Sequence, residues 1–267
     1  MHVQGVLDSE VLTDPNDSWF EWEGARGTSP LDWRMHPELV EGDKIRFAFG
    51  GFLLRSGPLD DRVVLIDVGN GPESDGFIPE GRFPSALRAC GVEPGDVTDV
   101  LLTHLHYDHT GWLGFNGAPM FPKATVHAAA ADLSWFSAPG TPGLSAAVTP
   151  ERFAVVAEHL TTFDGSCTPV PGISAIPAPG HTPGSTVYVA SDGLQRVVFL
   201  GDVVHCPVQL VDSEWAVLGD VDPVLAAQTR RNLERELDGA DVAGAHFPGL
   251  SLGRVISGVG KKQWHML

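Results

Sequence analysis

The sequence predicts an α/β fold in which strands and helices alternate and pack in layers. Three observations support this prediction. Short apolar runs rich in β-branched and aromatic residues recur along the chain and end near Gly or Pro. Segments with helix-forming residues lie between several of these runs. The chain has 267 residues, of which 43% are hydrophobic, and this is enough for a sizeable core.

The predicted strands all lie after residue 44. IRFAFGGFLL, from Ile45 to Leu54, and RVVLID, from Arg62 to Asp67, have the composition of strands. DVLLT, from Asp99 to Thr103, is apolar enough for a buried strand. Further strands are predicted at 124–128, 173–177, 186–190, 196–200 and 241–245. Residues 1–44 are rich in Gly, Pro, Trp and charge, and we expect them to form an extension that wraps the surface of one domain spanning 1–267.

Helices are predicted between the strands, at 84–89, 128–136 and 150–159. The strongest helix signal is the segment 222–239. Asp222 can cap this helix, Pro223 suits its first turn, and Gly239 ends it. Residues 132–150 are rich in Pro, Gly and Ser and predict a long loop, either a lid over a pocket or a plain surface excursion.

Composition and charge exclude several classes of partner. The formal net charge of -17 repels nucleic acids and anionic membranes, so we expect a small-molecule substrate, with a homodimer possible. There is no apolar run of the roughly 20 residues that span a bilayer, and the first residues lack signal-peptide character. We therefore expect a cytoplasmic protein. Cys90, Cys167 and Cys206 are too few and too widely spaced for a disulfide framework, which predicts reduced thiols.

The stretch THLHYDHTGW carries the strongest signal for chemistry. His104 and His106 follow the DVLLT strand, and side chains two residues apart on an extended backbone share one face. They can therefore bind one ion. Asp108 and His109 come next, where the chain turns, and can point to a second position a few ångströms away.

Three further residues of metal-ligand type follow strands elsewhere in the chain. His181 lies in APGHTPGS, Asp202 in FLGDVVH and His246 in AGAHFPG. In an α/β sheet, functional groups gather beyond the carboxyl ends of the strands. The sequence therefore predicts that these side chains join the histidine cluster in a site for more than one ion.

Together these motifs resemble those of the metallo-β-lactamase-fold hydrolases, and the likeness extends from about residue 45 to about residue 255. It implies a four-layer αββα sandwich with the metals at one edge between the two sheets. It also implies that Asp67 orients a ligand histidine. The implied ligands are His104, His106 and His181 for the first ion, Asp108, His109 and His246 for the second, and Asp202 as the bridge between them.

The resemblance implies a hydrolase in which two divalent ions share a bridging hydroxide. Such ions lower the pKa of water from about 15.7 toward 7. Asp108 is expected to orient the nucleophile and to pass its proton to the leaving group. Zinc is the default metal for five histidines and two aspartates, although manganese, iron and cobalt suit the same donors.

Within the family, the chain is similar to the lactonase and organophosphate-hydrolase branches. We expect a small neutral ester or lactone as the substrate, as for quorum-signal lactonases, and a phosphotriester is the alternative. Lactonases typically have tyrosine three residues after the bridging aspartate, whereas this chain has His205, which can donate a hydrogen bond or protonate a leaving group. Two other classes stay open: an iron-dependent redox enzyme of the same fold and a non-catalytic metal-bound binding module. Candidate pocket walls are the aromatic residues Trp112, Trp135, Phe136 and Trp215.

Overall fold

The computed structural model describes residues 1–14, 40–42, 44–55, 60–73, 76, 78–138, 153–212, 215, 219–257 and 262–267. The strands in these residues are β1 (His2–Thr13), β2 (Val40–Glu41), β3 (Lys44–Arg55), β4 (Val63–Ile66), β5 (Asp99–Leu101), β6 (Gly114–Phe115), β7 (Ala118–Pro119), β8 (Thr125–Ala129), β9 (Leu160–Phe163), β10 (Cys167–Val170), β11 (Ile173–Pro177), β12 (Thr186–Ser191), β13 (Arg196–Phe199), β14 (Asp241–Ala243), β15 (Gly253–Ser257) and β16 (Lys262–Met266). The α-helices are α1 (Phe83–Ala89), α2 (Tyr107–Thr110), α3 (Ala130–Phe136), α4 (Pro223–Asn232) and α5 (Glu234–Leu237). Short 3-10 turns occur at Pro94–Asp96, Ala157–His159, Gly201–Val203, Pro207–Leu210 and Pro248–Leu250.

Two large sheets form the body of the protein. The first has the strand order β1-β3-β4-β5-β8-β9, and β2 pairs with β3 beside this path. Its strands from β4 to β9 are parallel, whereas β1 and β3 run antiparallel to their neighbours. The second has the order β10-β11-β12-β13-β14-β15-β16, in which β13 and β14 are the parallel pair. The short strands β6 and β7 form a separate hairpin.

Three apolar clusters separate the layers. The inner cluster packs the two sheets face to face, with Phe52 and Ile66 from the first sheet and Tyr188 and Phe199 from the second. Phe83 of α1 belongs to a cluster on the outer face of the first sheet. Leu233 and Leu237 from the segment of α4 and α5 join a cluster on the outer face of the second sheet. The order is therefore helices, sheet, sheet, helices, which is the four-layer α/β arrangement expected.

The N-terminal segment differs from the extension that the sequence predicts. Residues 2–13 form an edge strand that pairs with β3 along its whole length, from His2 opposite Arg55 to Thr13 opposite Ile45. A bulge between Leu7 and Ser9 interrupts the alternation of this strand. Asp8 and Ser9 are consequently both buried, and a run with two adjacent buried polar residues gives no clear strand pattern. Residues 15–39 lie outside the described residues, and the single domain over 1–267 stays a prediction.

The helices follow the predictions with two changes. The helix expected over 222–239 is divided at Leu233, which separates α4 from α5 and has ψ of -10°. The Asp222 carboxylate caps the first part by accepting a 2.9 Å hydrogen bond from Leu225 N, as predicted. In the described part of 150–159, the chain ends in a 3-10 turn at Ala157–His159, because its backbone follows tighter i to i+3 hydrogen bonds there.

The long loop expected over 132–150 begins later than predicted. Residues 132–136 belong to α3, and residues 139–150 lie outside the described residues. In the part of the chain that the structure describes, we find no helix with the length and apolar character needed to cross a membrane.

Candidate metal centre

The candidate ligands lie where strands of both sheets end. In the first sheet, β5 leads into His104 and His106, and the short helix α2 carries Asp108 and His109. In the second sheet, β11, β13 and β14 lead into the loops that carry His181, Asp202 and His246. Because β13 and β14 are parallel, they bring Asp202 and His246 to the same edge of the sheet.

Two sets of ligand atoms meet at this edge. His104, His106, His181 and Asp202 each offer an atom within 4.8 Å of the others, and so do Asp108, His109, His246 and Asp202. These are the seven residues that the sequence assigns to metals, and Asp202 belongs to both sets. We call His104, His106, His181 and Asp202 the first set, and Asp108, His109, His246 and Asp202 the second set. The arrangement brings every predicted ligand together, while metal ligation itself stays a prediction.

The spacing within the first set suits a divalent ion. His106 Nδ1 lies 2.8 Å from His104 Nε2 and 3.0 Å from His181 Nε2. Asp202 Oδ2 lies 3.8 Å from His104 Nε2 and 3.4 Å from His181 Nε2. Donors bound at about 2.1 Å in a tetrahedron are about 3.4 Å apart, so these separations bracket the value expected around one ion.

The second set has similar spacing around the other carboxylate oxygen. Asp202 Oδ1 lies 3.1 Å from both His109 Nε2 and His246 Nε2. Asp108 Oδ2 lies 3.5 Å from each of the same two nitrogens. Oδ2 of Asp202 thus contacts the first set and Oδ1 the second, and His246 Nε2 lies near both oxygens, at 3.2 Å from Oδ2.

Hydrogen bonds at the far side of the rings orient four of the histidines. His109 Nδ1 donates to the Asp67 carboxylate at 2.9 Å, and His181 Nδ1 donates to the Asp220 carboxylate at 3.1 Å. His246 Nδ1 donates to the Ala48 carbonyl at 2.9 Å. The Nδ1 of His104 lies 3.1 Å from the Thr103 hydroxyl. Each contact leaves the Nε2 lone pair directed at the centre, which is the tautomer that a metal ligand needs.

Asp67 is itself held rigidly. Its carboxylate accepts hydrogen bonds of 2.8 Å from both the backbone N–H and the hydroxyl of Thr103, in addition to the contact with His109. Its φ of 58° lies in the left-handed region that is unfavourable for a non-glycine residue. The chain therefore maintains a strained backbone at the residue expected to orient a ligand.

Burial and charge shift the titration of the centre. Burial lowers the pKa of His104 and His106 well below the usual value, which keeps these imidazoles neutral. Burial acts in the same direction on His109, but the carboxylates of Asp202 and Asp108 outweigh it and raise the pKa of this histidine. Burial would raise the pKa of Asp202, yet the surrounding histidines, His109 first, hold it well below the usual range.

Two buried polar atoms at the centre provide a direct test of metal fit. His109 Nε2 and Asp202 Oδ1 make no hydrogen bond with any described residue, although each is fully shielded from solvent. A buried polar atom without a hydrogen bond costs about 1–3 kcal/mol, and such atoms are rare in folded proteins. A cation between them would satisfy both, so the donor set fits a metal.

His205 lies beside the two sets. Its Nε2 is 3.2 Å from Asp202 Oδ2, and its ring stacks on that of His246 with centroids 5.7 Å apart. Its Nδ1 is buried and makes no hydrogen bond with a described residue. The backbone N–H of His205 donates to Gln209 Oε1 at 2.7 Å, which fixes the turn after Asp202.

The candidate pocket walls have different environments. Trp112 and Trp215 are buried in apolar clusters, so their bulk supports the core more than a pocket wall. Phe136 is half-buried and presents its edge to the His106 ring at a centroid distance of 5.5 Å. Phe49 contacts the His246 ring at 5.0 Å, although no sequence pattern distinguishes it from the other apolar residues of its strand.

Sequence reasoning also missed two buried carboxylates near the centre. Asp220 accepts the hydrogen bond from His181, and Arg230 lies 3.5 Å from its other oxygen. Asp132 contacts the loops around the first set through three hydrogen bonds. Asp132 lies three residues after β8, but it falls inside a predicted helix, and Asp220 belongs to no spaced motif, so the sequence did not mark either residue.

Comparisons with known proteins point to one family. The profile of the metallo-beta-lactamase superfamily matches residues 52–246. An N-acyl homoserine lactonase of Bacillus thuringiensis is 24% identical over 157 residues, which cover 58% of this chain and 57% of the lactonase. Metallo-beta-lactamase domain-containing protein 1 of Mus musculus is 33% identical over 187 residues, which cover 67% of this chain and 56% of that protein. The chain therefore matches little more than half the length of these relatives.

Solved structures resemble the fold along nearly the whole chain. The hydrolase AbOPH of the beta-lactamase superfamily superposes with a TM-score of 0.82 and 25% identity, covering 99% of this chain and 94% of its own. AidC, described as a dizinc quorum-quenching lactonase, has a TM-score of 0.82 at 21% identity and covers 98% of this chain and 93% of its own. The expected fold is thus confirmed, and this chain belongs to the metallo-beta-lactamase superfamily.

Proposed function

We propose that this protein is a metal-dependent hydrolase that cleaves a small neutral ester or lactone at a pair of divalent ions. The observation that carries the proposal is the convergence of seven His and Asp side chains in two sets that share Asp202. A binding module without catalysis would not require a complete pair of sets. The likeness to the Bacillus lactonase, over 57% of its length, supports a lactone as the substrate.

When bound, the two ions supply Lewis acidity for the reacting carbonyl group and lower the pKa of a water molecule toward neutrality. The first set would hold one ion and the second set the other, with Asp202 contributing one oxygen to each. The nitrogen and oxygen donors suit zinc, which we assign as the default metal.

Asp108 is the residue we assign to proton transfer. Its carboxylate is partly exposed, with 13% of the side chain accessible, whereas Asp202 is buried. One oxygen, Oδ2, faces His109 and His246. The carboxylate can orient the attacking water, receive its proton and release that proton to the leaving group.

We assign His205 a positioning role through Asp202. Its Nε2 contacts the bridging carboxylate at 3.2 Å, so this N–H holds Asp202 in the orientation that serves both sets. This contact favours positioning over direct donation of a proton from Nε2 to the substrate. The ring of His246, from the second set, stacks on the same imidazole with centroids 5.7 Å apart.

A narrow cleft adjoins His205 and His246, and its lining bears on the charge of the substrate. Ile45, Phe47 and Pro248 provide much of its apolar lining. Among its described lining residues, Arg46 is the charged one, and this guanidinium forms ion pairs with Glu10 and Glu41. An anionic substrate would have to separate these pairs and approach a protein of net charge -17.

Phosphotriester cleavage is the second candidate function. The observation that favours it is His205, which stands three residues after Asp202 where the lactonase pattern has tyrosine. A phosphotriester is also neutral and apolar, and its phosphoryl oxygen would use the same Lewis acidity as a carbonyl.

The proposal is tested by metal analysis and a substrate panel. Purified protein should contain close to two metal equivalents, and a content near zero in fresh protein would overturn the assignment. Lactones, aryl esters and phosphotriesters should then be assayed with the wild type, with Asp202→Asn and with the control Asp99→Asn, which changes a buried carboxylate at the opposite end of β5. We expect activity in the wild type and the control and its loss in Asp202→Asn. Oxygen consumption with a thiol or persulfide, without any hydrolysis, would instead support the redox class.

A further inference from the structure

Asp132 is a buried carboxylate that takes no part in the metal sets. It lies in the first turn of α3, and 1% of the residue is exposed. Its Oδ2 accepts hydrogen bonds from Leu105 N at 3.1 Å and from Thr182 Oγ1 at 3.0 Å, and its Oδ1 accepts one from Gly184 N at 2.6 Å. Three donors from two distant segments thus meet at one side chain.

These donors belong to the loops that carry the first set. Leu105 separates His104 from His106, and Thr182 follows His181 directly. The first loop continues β5 of one sheet, and the second connects β11 to β12 of the other. A single carboxylate therefore joins the segments that bear all three histidines of the first set, and no hydrogen bond links it to any of these rings.

The loop around His181 is built to approach α3 closely. A Cβ atom at Gly184 would lie 2.5 Å from the backbone nitrogen of Asp132, so this contact requires glycine. The hydroxyls of Thr182 and Ser185 lie 2.8 Å apart, and Ser185 Oγ also accepts the Thr182 N–H at 2.9 Å. The loop is therefore rigid where it contacts the carboxylate.

Neither the start of α3 nor the second set uses this side chain. The helix N-cap is Ala129, and no side-chain hydrogen bond caps the helix. The second-set histidines His109 and His246 are oriented by Asp67 and by the Ala48 carbonyl. A carboxylate buried without a charged partner is costly, so a helix position of this kind would ordinarily hold an apolar residue.

We propose that Asp132 is a positioning residue for the first metal set, because it fixes the spacing between the His104–His106 loop and the His181 loop. This inference rests on the proposed metal centre and extends it to a residue that contacts no ligand atom. Loss of the carboxylate should weaken metal binding at the first set and leave the second set unchanged.

Asp132→Asn is the most informative variant, since it preserves the size of the side chain. An amide has one acceptor oxygen, so its NH2 group must face either the Gly184 N–H or the donors of Leu105 and Thr182. The two loops can no longer both be held. Changes to groups that orient metal ligands typically cost about 10-fold to 100-fold in affinity, and we expect a loss of at least about 10-fold at the first set.

The test separates the two sets by removing one ligand from each. A His246→Ala background retains the first set, and a His181→Ala background retains the second. Zn²⁺ should be titrated into each metal-free background, with and without Asp132→Asn, against a chromophoric chelator. We expect at least about 10-fold weaker binding in His246→Ala and no more than about 2-fold change in His181→Ala.

Asp99→Asn provides the matched control, because Asp99 is equally buried and pairs with Arg62 and His127 away from both loops. It should leave Zn²⁺ affinity unchanged in both backgrounds. Thr182→Val removes one of the three hydrogen bonds, so it should cause a smaller loss of about 3-fold with the same selectivity. This variant decides the outcome if Asp132→Asn does not fold.

The outcomes distinguish this inference from the proposed function. A wild-type protein that binds no Zn²⁺ would overturn both. A second outcome would overturn only the role of Asp132 and leave the proposed function standing. In it, the wild type binds two Zn²⁺ ions, but Asp132→Asn or Thr182→Val lowers Zn²⁺ affinity equally in both backgrounds or in neither. Selective weakening in His246→Ala supports the role, since a general loss of stability would not discriminate between the sets.

Discussion

Replacement of Gly201 by alanine should destabilise the protein at the point where the two halves of the centre meet. Gly201 precedes Asp202 and has φ of 51°. A Cβ atom there would lie 2.6 Å from both Cβ and Oγ1 of Thr103, about 0.8 Å inside the 3.4 Å at which ordinary contact begins. Thr103 cannot retreat easily, because its N–H and hydroxyl are both bound to Asp67.

The expected magnitude has two parts. The left-handed backbone costs an L-residue about 1–2 kcal/mol, and overpacking of a rigid site costs about 1–3 kcal/mol. Gly201→Ala should therefore lower the free energy of unfolding by about 2–5 kcal/mol. Gly239→Ala is the matched control, because Gly239 has φ of 68° and a Cβ atom added to it would have no neighbouring atom within 4 Å. It should lose only about 1–2 kcal/mol.

Urea unfolding of the metal-free protein, followed by circular dichroism, measures both variants. Zn²⁺ titration adds a second measurement, since displacement of Thr103 would move the adjacent His104 and weaken the first set by about 10-fold. Equal destabilisation by the two variants, together with unchanged Zn²⁺ affinity in Gly201→Ala, would refute the reasoning from the steric contact.

Three further predictions concern metal removal, pH and the core. Chelation should abolish hydrolysis and lower the unfolding temperature. Zn²⁺ at 100 times its dissociation constant should restore about 2.7 kcal/mol of unfolding free energy per ion. An unfolding temperature that chelation leaves unchanged would contradict this. Burial raises the pKa of Asp8 to about 6 from 3.8, so its contribution to stability is complete below pH 3.8 and is lost as pH rises through 6. Measured by urea unfolding and relative to Asp8→Asn, the free energy of unfolding of the wild type should therefore fall by about 3 kcal/mol between pH 3 and pH 8. A difference between the two proteins that does not change with pH would disprove the pKa shift. Tyr188→Phe removes a buried 3.0 Å hydrogen bond to the Leu102 carbonyl and should lower the free energy of unfolding by about 1–3 kcal/mol in the same assay. An unchanged free energy of unfolding would mean that this carbonyl finds another donor.

The sequence was sufficient to select the seven candidate ligands because each lies in a local pattern. His104 to His109 form one compact motif, and His181, Asp202 and His246 each follow a predicted strand and a turn. Such patterns depend only on neighbouring residues. The layered architecture could be predicted for the same reason, since apolar strand runs and helix caps are local signals.

The supporting residues could not be predicted because their partners are distant in sequence. Asp132 and Thr182 are 50 residues apart, and Asp8 and the Trp112 ring that donates to it are 104 apart. Asp220 has no motif of its own. The first strand escaped prediction because its bulge turns Asp8 and Ser9 inward together, so the expected alternation of polar and apolar residues is absent.

The membership of Asp202 in both sets has a consequence for the mechanics of the molecule. Four of the converging side chains come from the first sheet and three from the second, so ions bound there would fasten the two sheets to each other at one edge. Opening of the inner apolar cluster would then require release of the ions. Amide hydrogen exchange in β12 and β4, on the two sides of that cluster, should therefore slow together when metal is added. Bound ions would then stabilise the packing of the two sheets in addition to their role in hydrolysis.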